Sequence, residues 1–317
     1  MVVTRIKASN FKSFKDIDIS LNKFNVLIGA NASGKTNFIQ IFKFLRNLKN
    51  HGLENAVSMQ GGVEYLRNIN IGSSEDLEIS ISVDDGFSGI IPIKDRLISI
   101  QGYEYFLSIN FSDNGVACSI KKEILKLNCQ VRLCKGTEDR MISGEILGEG
   151  NIEIYREYGK VIVNSDIKDL REIDVDDLMP FHIFDISSTP DTILKLITNM
   201  YGSSNNLNGI SFYDIDPKIP KQTSLISGKI DLEEDGRNIA LVMKHLFEDK
   251  EKKRKFSNLI NDILPFIEDV RVEKYTDYNL LLTLKEIYFK KELPLRYLVW
   301  KEGKTSGSLN FNLAPIR

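Results

Sequence analysis

Nine consecutive residues carry the spacing with most chemical content: Gly29, Ala30, Asn31, Ala32, Ser33, Gly34, Lys35, Thr36 and Asn37. They fill the pattern G-x-x-x-x-G-K-[ST] at every fixed position. The two glycines let the loop turn successive N–H groups inward, which is what a polyphosphate needs and what side chains there would obstruct. Lys35 then supplies a point charge for the β- and γ-phosphates of a nucleotide, and the Thr36 hydroxyl is placed to ligate Mg²⁺. Asn37 opens the following helix, whose N-terminal end carries partial positive charge toward the same anion. A nucleotide's phosphates with Mg²⁺ are therefore the expected ligands.

Such a loop works only between two particular elements. The short apolar run Phe24 to Ile28 reads as a buried parallel strand, and Phe38 to Leu45 reads as a helix. The competing reading is a glycine turn before an ordinary helix, and the match of both flanks weighs against it.

The residues before the loop narrow the class. Val3 to Leu21 includes Asn10-Phe11-Lys12-Ser13-Phe14 and runs straight into the loop. This stretch resembles the opening of the RecF and structural-maintenance-of-chromosomes branch of ABC-type ATPases, in which a strand, an "N-F-[KR]-S-F" turn, a second strand and "G-x-N-x-S-G-K-[ST]-N" follow one another. The likeness is close over residues 3 to about 45. It implies ATP as the nucleotide, with the turn at Asn10 to Phe14 beside adenine and ribose, mostly through backbone. Taken alone, Phe11 and Phe14 read as core anchors of a hairpin.

Composition sets the outer bounds. Across 317 residues, 42 Lys and Arg stand against 44 Asp and Glu, for a net charge of −2. That excludes a strongly basic nucleic-acid-binding chain and leaves room for a local basic patch. Cys118, Cys129 and Cys134 form no C-x-x-C pair, which argues against a zinc site or disulfide framework. Charges scattered through Met1 to Ser20 do not read as a cleavable signal, and no apolar run approaches a membrane span. A soluble, cytoplasmic protein without membrane contact is expected.

Past the first helix, Leu77 to Val83, Tyr103 to Phe111, Val116 to Ile120, Val131 to Leu133, Gly144 to Leu147, Ile152 to Tyr155 and Val161 to Val163 alternate apolar and polar residues between turn signals. Alternation of that kind predicts antiparallel strands with one solvated face, with a hairpin tip at Glu157 to Lys160. Helical spacing marks Pro190 to Met200, Asp235 to Phe247 and Phe256 to Leu264, with a Gly/Ser/Asn-rich loop at Gly202 to Gly209. The run Lys250 to Lys255 reads as a solvated helix junction, with a DNA contact as the lesser alternative. Ile267 to Lys274 and Leu280 to Phe289 pair as strands around Thr276 to Asn279.

The predicted architecture is an α/β P-loop NTPase of ABC-type head form, with an antiparallel β layer and a helical lobe, truncated at the C-terminus. Its parts are the strand, loop and helix of residues 1–50, a β layer over 51–165, a helical lobe over 166–266, a hairpin over 267–299 and an atypical tail over 300–317. An ABC-type head also needs a signature segment and an apolar strand ending in Asp-Glu for the metal and the attacking water. Phe181 to Asp185, Ile142 to Glu145 and Ile226 to Lys229 are partial matches in unsuitable contexts. Lys301 to Asn312 is polar, glycine-rich and patternless, so the tail from about Trp300 reads as the product of a frameshift, with a natural polar, disordered end as the alternative. Gln60, Gln101 and Gln130 are equal candidates for the glutamine that relatives place near the metal. The resemblance implies ATP-sandwiched homodimerisation and roles in DNA repair or phage defence beside DNA or a nuclease. It implies hydrolysis only where the missing acids come from elsewhere. A nucleotide sensor without turnover and an inactive fragment are the alternatives.

Overall fold

The computed structural model describes residues 2–84, 90–93, 96–112, 115–137, 140–157, 160–167, 192–195 and 210–295. Tyr158 and Gly159 of the expected hairpin tip lie outside the described residues, as do Phe181 to Asp185, Gly202 to Gly209, the tail from 296, and Pro190 to Met200 apart from 192–195. The chain divides into two compact units, Met1–Ile210 and Ser211–Arg317.

The first unit is built on one eight-stranded sheet. Its strands are β1 (Val2–Phe11), β2 (Phe14–Ser20), β3 (Leu77–Asp84), β4 (Ile90–Ile93), β5 (Arg96–Phe111), β6 (Cys118–Thr137), β7 (Arg140–Glu157) and β8 (Lys160–Ser165), in the order β2-β1-β3-β5-β6-β7-β8 with β4 beside β5. Each ladder among the described residues is antiparallel. The alternation seen in the sequence is therefore real, but several of its short segments belong to single long strands. Val116 to Ile120 and Val131 to Leu133 both run into β6, and Gly144 to Leu147 and Ile152 to Tyr155 both lie in β7.

Cross-strand register explains which residues are apolar. Ile6, Ile81, Tyr105, Leu125 and Ile154 oppose one another across five strands, and all five are buried. The next row on that face is Ala8, Ile79, Leu107, Glu123 and Arg156. Each large apolar side chain buried there contributes about 1.5–3 kcal/mol. The edge strand β2 carries Lys15, Asp16 and Asp18, charges that discourage pairing with another chain.

The helix α1 (Lys35–Met59) buries Phe38, Ile41, Leu45 and Leu48, the i, i+3/i+4 spacing of one helical face. It is anchored by Phe11 against Phe44, ring centroids 6.1 Å apart. Gly52, at φ 79°, interrupts the helix with a kink, and the chain turns at Gly61 and Gly62 into the short helix α2 (Val63–Leu66).

In the second unit, β10 (Ile267–Lys274) and β11 (Asn279–Glu286) form the expected hairpin, joined by β9 (Ser224–Leu225) and β12 (Leu293–Pro294) on β11. Helices α3 (Ile239–Glu248) and α4 (Lys250–Ile263) supply Leu241, Met243, Phe247, Phe256 and Ile260 to a cluster with Val270, Leu280 and Leu282. The run Lys250 to Lys255 is solvated, as expected, and follows the Asp249 junction with α3 as the opening of α4. Asp249 caps it by accepting from the N–H groups of Glu251 (2.9 Å) and Lys252 (3.1 Å). No helix among the described residues is long and apolar enough to cross a membrane.

Candidate functional site

The loop Gly29 to Gly34 leads directly into α1, as its spacing requires. Gly34 takes φ 93°, the left-handed region open to glycine, and Phe38 is the first residue whose N–H bonds back into the helix, to the Gly34 carbonyl at 2.9 Å. The N–H groups of Lys35, Thr36 and Asn37 are thus those that the helix geometry leaves without an intrahelical acceptor. No side chain among the described residues caps this end. An anion is the natural partner for three such donors.

The other glycine lies close to Ser33, whose hydroxyl would have to rotate to admit a side chain there. A Cβ on Gly29 would lie 2.7 Å from Ser33 Oγ. Between the two, Ala32 adopts φ 63°, and a bond from the Ser33 N–H to the Ala30 carbonyl (3.3 Å) tightens the turn. A left-handed alanine costs about 1–2 kcal/mol, strain of the sort that persists where a loop shape serves a ligand.

Lys35 is folded into its own loop. Its ammonium donates to the carbonyls of Gly29 and Ala30, both at 2.7 Å, and lies 3.4 Å from Ser33 Oγ. The ammonium is thus engaged by the loop's own carbonyls, and these bonds must open for it to meet a phosphate. Thr36 is exposed at the start of α1, free of burial that would keep its hydroxyl from a metal.

The strand expected at Phe24 to Ile28 does not form. Asn25 closes a side-chain turn with Asn22, its Oδ1 accepting from the Asn22 N–H (3.0 Å) and its Nδ2 donating to the Asn22 carbonyl (2.7 Å). That turn takes the chain away from β2, and no strand among the described residues runs alongside. Extended backbone becomes a strand only when a neighbour supplies ladder bonds. Phe24 and Ile28 are consequently 82 % and 92 % exposed.

The β1–β2 turn reaches the loop from the other side. Asn37 Nδ2 donates to Ser13 Oγ at 2.8 Å, and a Cβ on Gly34 would come within 3.2 Å of the Phe14 ring. Phe11 is the core anchor that the sequence suggested, whereas Phe14 is a packing partner of the phosphate loop. The Ser13 contact was not legible in the sequence. Its only advance signal is the Asn10 to Phe14 turn itself.

The three candidate glutamines are not brought to the loop by any contact found among the described residues. Gln101 donates to Ser99 Oγ (2.7 Å) and Gln130 to Glu149 (2.9 Å), and both line a polar groove with Asn128, Asn151 and Asp166. Gln60 is buried just past α1. Elsewhere in the sheet, Glu123 is buried and its carboxyl is pushed above the usual range by desolvation. The Tyr105 hydroxyl (2.7 Å) and the Leu194 N–H (3.4 Å) both donate to it and only partly offset that burial. Among the described residues no group of three or more His, Cys, Asp or Glu side chains forms a metal cluster.

A glycine loop with the G-x-x-x-x-G-K-[ST] spacing opening a helix, on a chain of antiparallel sheet and few helices, fits an AAA/P-loop ATPase-like domain. The sequence model of the family described as "AAA domain, putative AbiEii toxin, Type IV TA system" matches residues 24–296, and the chain belongs to that family. No curated protein matches it.

Proposed function

We propose that the chain binds ATP as its Mg²⁺ complex at Gly29 to Asn37, as the nucleotide-binding part of an ABC-type head of the RecF/SMC-like branch. The observation that carries this reading is the uncapped start of α1 behind the left-handed Gly34, with a lysine already engaged by the loop's carbonyls. Gly29, Ala30, Asn31, Ala32, Ser33 and Gly34 wrap the β- and γ-phosphates with backbone. The N–H groups of Lys35, Thr36 and Asn37 meet the phosphates, Lys35 exchanges its two carbonyl partners for phosphate oxygens, and the Thr36 hydroxyl holds Mg²⁺.

Hydrolysis requires an acidic pair to hold the metal and the attacking water. In this reading those acids come from outside the described residues, either from the same polypeptide or from a second head across sandwiched nucleotides. The exposed run Phe24 to Ile28 supports an incomplete sheet beside the loop. The family description names a putative AbiEii toxin and a Type IV TA system, which favours phage defence over DNA repair as the setting of this reading. A cytoplasmic location and a DNA or nuclease partner enter the reading through the resemblance of residues 3 to about 45 to RecF/SMC-like heads.

Thermal shift with and without Mg²⁺–ATP tests the assignment. A ligand at about 100 times Kd stabilises by ~2.7 kcal/mol. Lys35→Ala removes charge-assisted bonds worth about 1.5–3 kcal/mol, a loss of roughly ten- to hundredfold in affinity, so about half of the shift or more should vanish. Equal shifts in wild type and variant would sink the assignment.

A further inference from the structure

The turn between β1 and β2 is gripped at both ends. On one side Asn10 is fully buried and left-handed at φ 52°. Its Nδ2 donates to the carbonyls of Gly72 (3.2 Å) and Glu75 (2.7 Å), and its Oδ1 accepts from the Asn68 N–H (3.0 Å). Lys12, also left-handed, adds a bond from its N–H to the Leu66 carbonyl at 2.9 Å. Asparagine suits this position because it tolerates the left-handed region and brings both a donor and an acceptor. The far side of the turn carries Ser13 and Phe14, and these are the groups that meet Asn37 and Gly34.

The turn is therefore a bracket that joins the 66–75 segment to the phosphate loop. Ser13 lies three positions after Asn10, and the conformations of Asn10 and Lys12 are fixed by buried or half-buried hydrogen bonds. The loop at the other end has no comparable support, since Asn31, Ala32 and Ser33 are exposed.

We propose that Ser13 and Asn37 form a positioning pair for phosphate binding. The Asn37 carboxamide is a strut tied to the Ser13 hydroxyl. It holds the first turn of α1, and with it the N–H groups of Lys35, Thr36 and Asn37, in the orientation that a phosphate meets. This deepens the phosphate-loop reading above and rests on it. It assigns the Asn37 side chain to the turn while its backbone N–H serves the ligand, and it gives the serine of the N-F-K-S-F turn a part in orienting the phosphate site instead of contacting base or ribose.

The test separates those roles by ligand. A fluorescent ATP analogue is titrated into the full chain as wild type, Ser13→Ala, Asn37→Ala, the double variant and Ser13→Thr. ATP and inorganic pyrophosphate are then used to displace it, and the melting temperature of each protein is recorded. The expected result is about fivefold weaker binding in each alanine variant, equivalent to ~1 kcal/mol at 25 °C. That loss should be equal for ATP and pyrophosphate, no greater in the double variant than in either single one, and reversed in Ser13→Thr, with melting temperatures unchanged. Additive losses show that the two residues act separately and overturn the pair. A loss confined to ATP places Ser13 on the nucleoside and overturns the positioning role, as does full affinity in both alanine variants. Wild-type protein that binds neither ATP nor pyrophosphate removes the phosphate-loop reading itself, whereas tight wild-type binding with unaffected variants removes only this inference.

Discussion

Replacing Gly34 by alanine should destabilise the first unit by about 2–3 kcal/mol, and the structure divides that cost into two parts. Gly34 stands at φ 93° and ψ 1°, and forcing an L residue there costs about 1–2 kcal/mol. The new methyl would also sit 3.2 and 3.3 Å from Phe14 Cε1 and Cζ and 3.3 Å from Ser13 Oγ. These contacts are tight but short of collision, and Phe14 is only half-buried, so its ring can give by a few tenths of an ångström at the low end of the overpacking range, about 1 kcal/mol. Urea denaturation followed by circular dichroism reads the sum in the transition of the first unit, and the protein should remain folded because domains carry about 5–15 kcal/mol. Phe14→Leu in the same background should recover only the contact part and leave about 1–2 kcal/mol of backbone cost. A neutral or stabilising Gly34→Ala would mean that the loop does not hold Gly34 left-handed in solution, and the reasoning about α1's open end would fail with it.

Two further predictions concern protons. Burial raises the folded-state pKa of Glu123, so the native chain holds a proton that the unfolded chain has released, and stability falls as pH climbs from the ordinary value of 4.5 toward the folded value. Glu123→Gln should therefore lack the fall in stability that wild type shows as pH climbs past 4.5, read from paired urea melts at about pH 4 and about pH 8; a variant with the same fall would contradict the burial argument. Asp18 has the opposite sign. The Arg5 guanidinium, with both bonds at 2.7 Å and help from Lys7, holds its carboxyl down at about 2. Its contribution is complete above the ordinary value of 3.8 and is lost as pH falls toward 2. Asp18→Asn should flatten acid unfolding in that interval, with a loss of stability that is greatest at neutral pH, modest because the pair is exposed and screened, and gone at about pH 2; an unchanged acid limb would refute it.

The sequence alone determined what depends on near neighbours. The phosphate loop follows from two glycines, a lysine and a threonine at fixed spacing, and α1 from apolar residues three and four apart. The strands follow from alternation, and the β10–β11 hairpin from two apolar runs around a turn. These signals sit within a few residues of the structure they specify. The charge run at Lys250 to Lys255 reads from sequence as a solvated junction, but where the helix begins was settled by the Asp249 cap and by the packing of Phe256 and Ile260. Phe24 to Ile28 has the composition of a buried strand, but a strand is a relation between two segments, and no described segment runs beside it. Only the tertiary structure could bring Asn37 to Ser13, Asn10 to Gly72 and Glu75, and Glu123 to Leu194, across 24, 62, 65 and 71 residues of chain. Such contacts form after the sheet has set its register, and register depends on every pairing at once, so no local stretch of sequence encodes them.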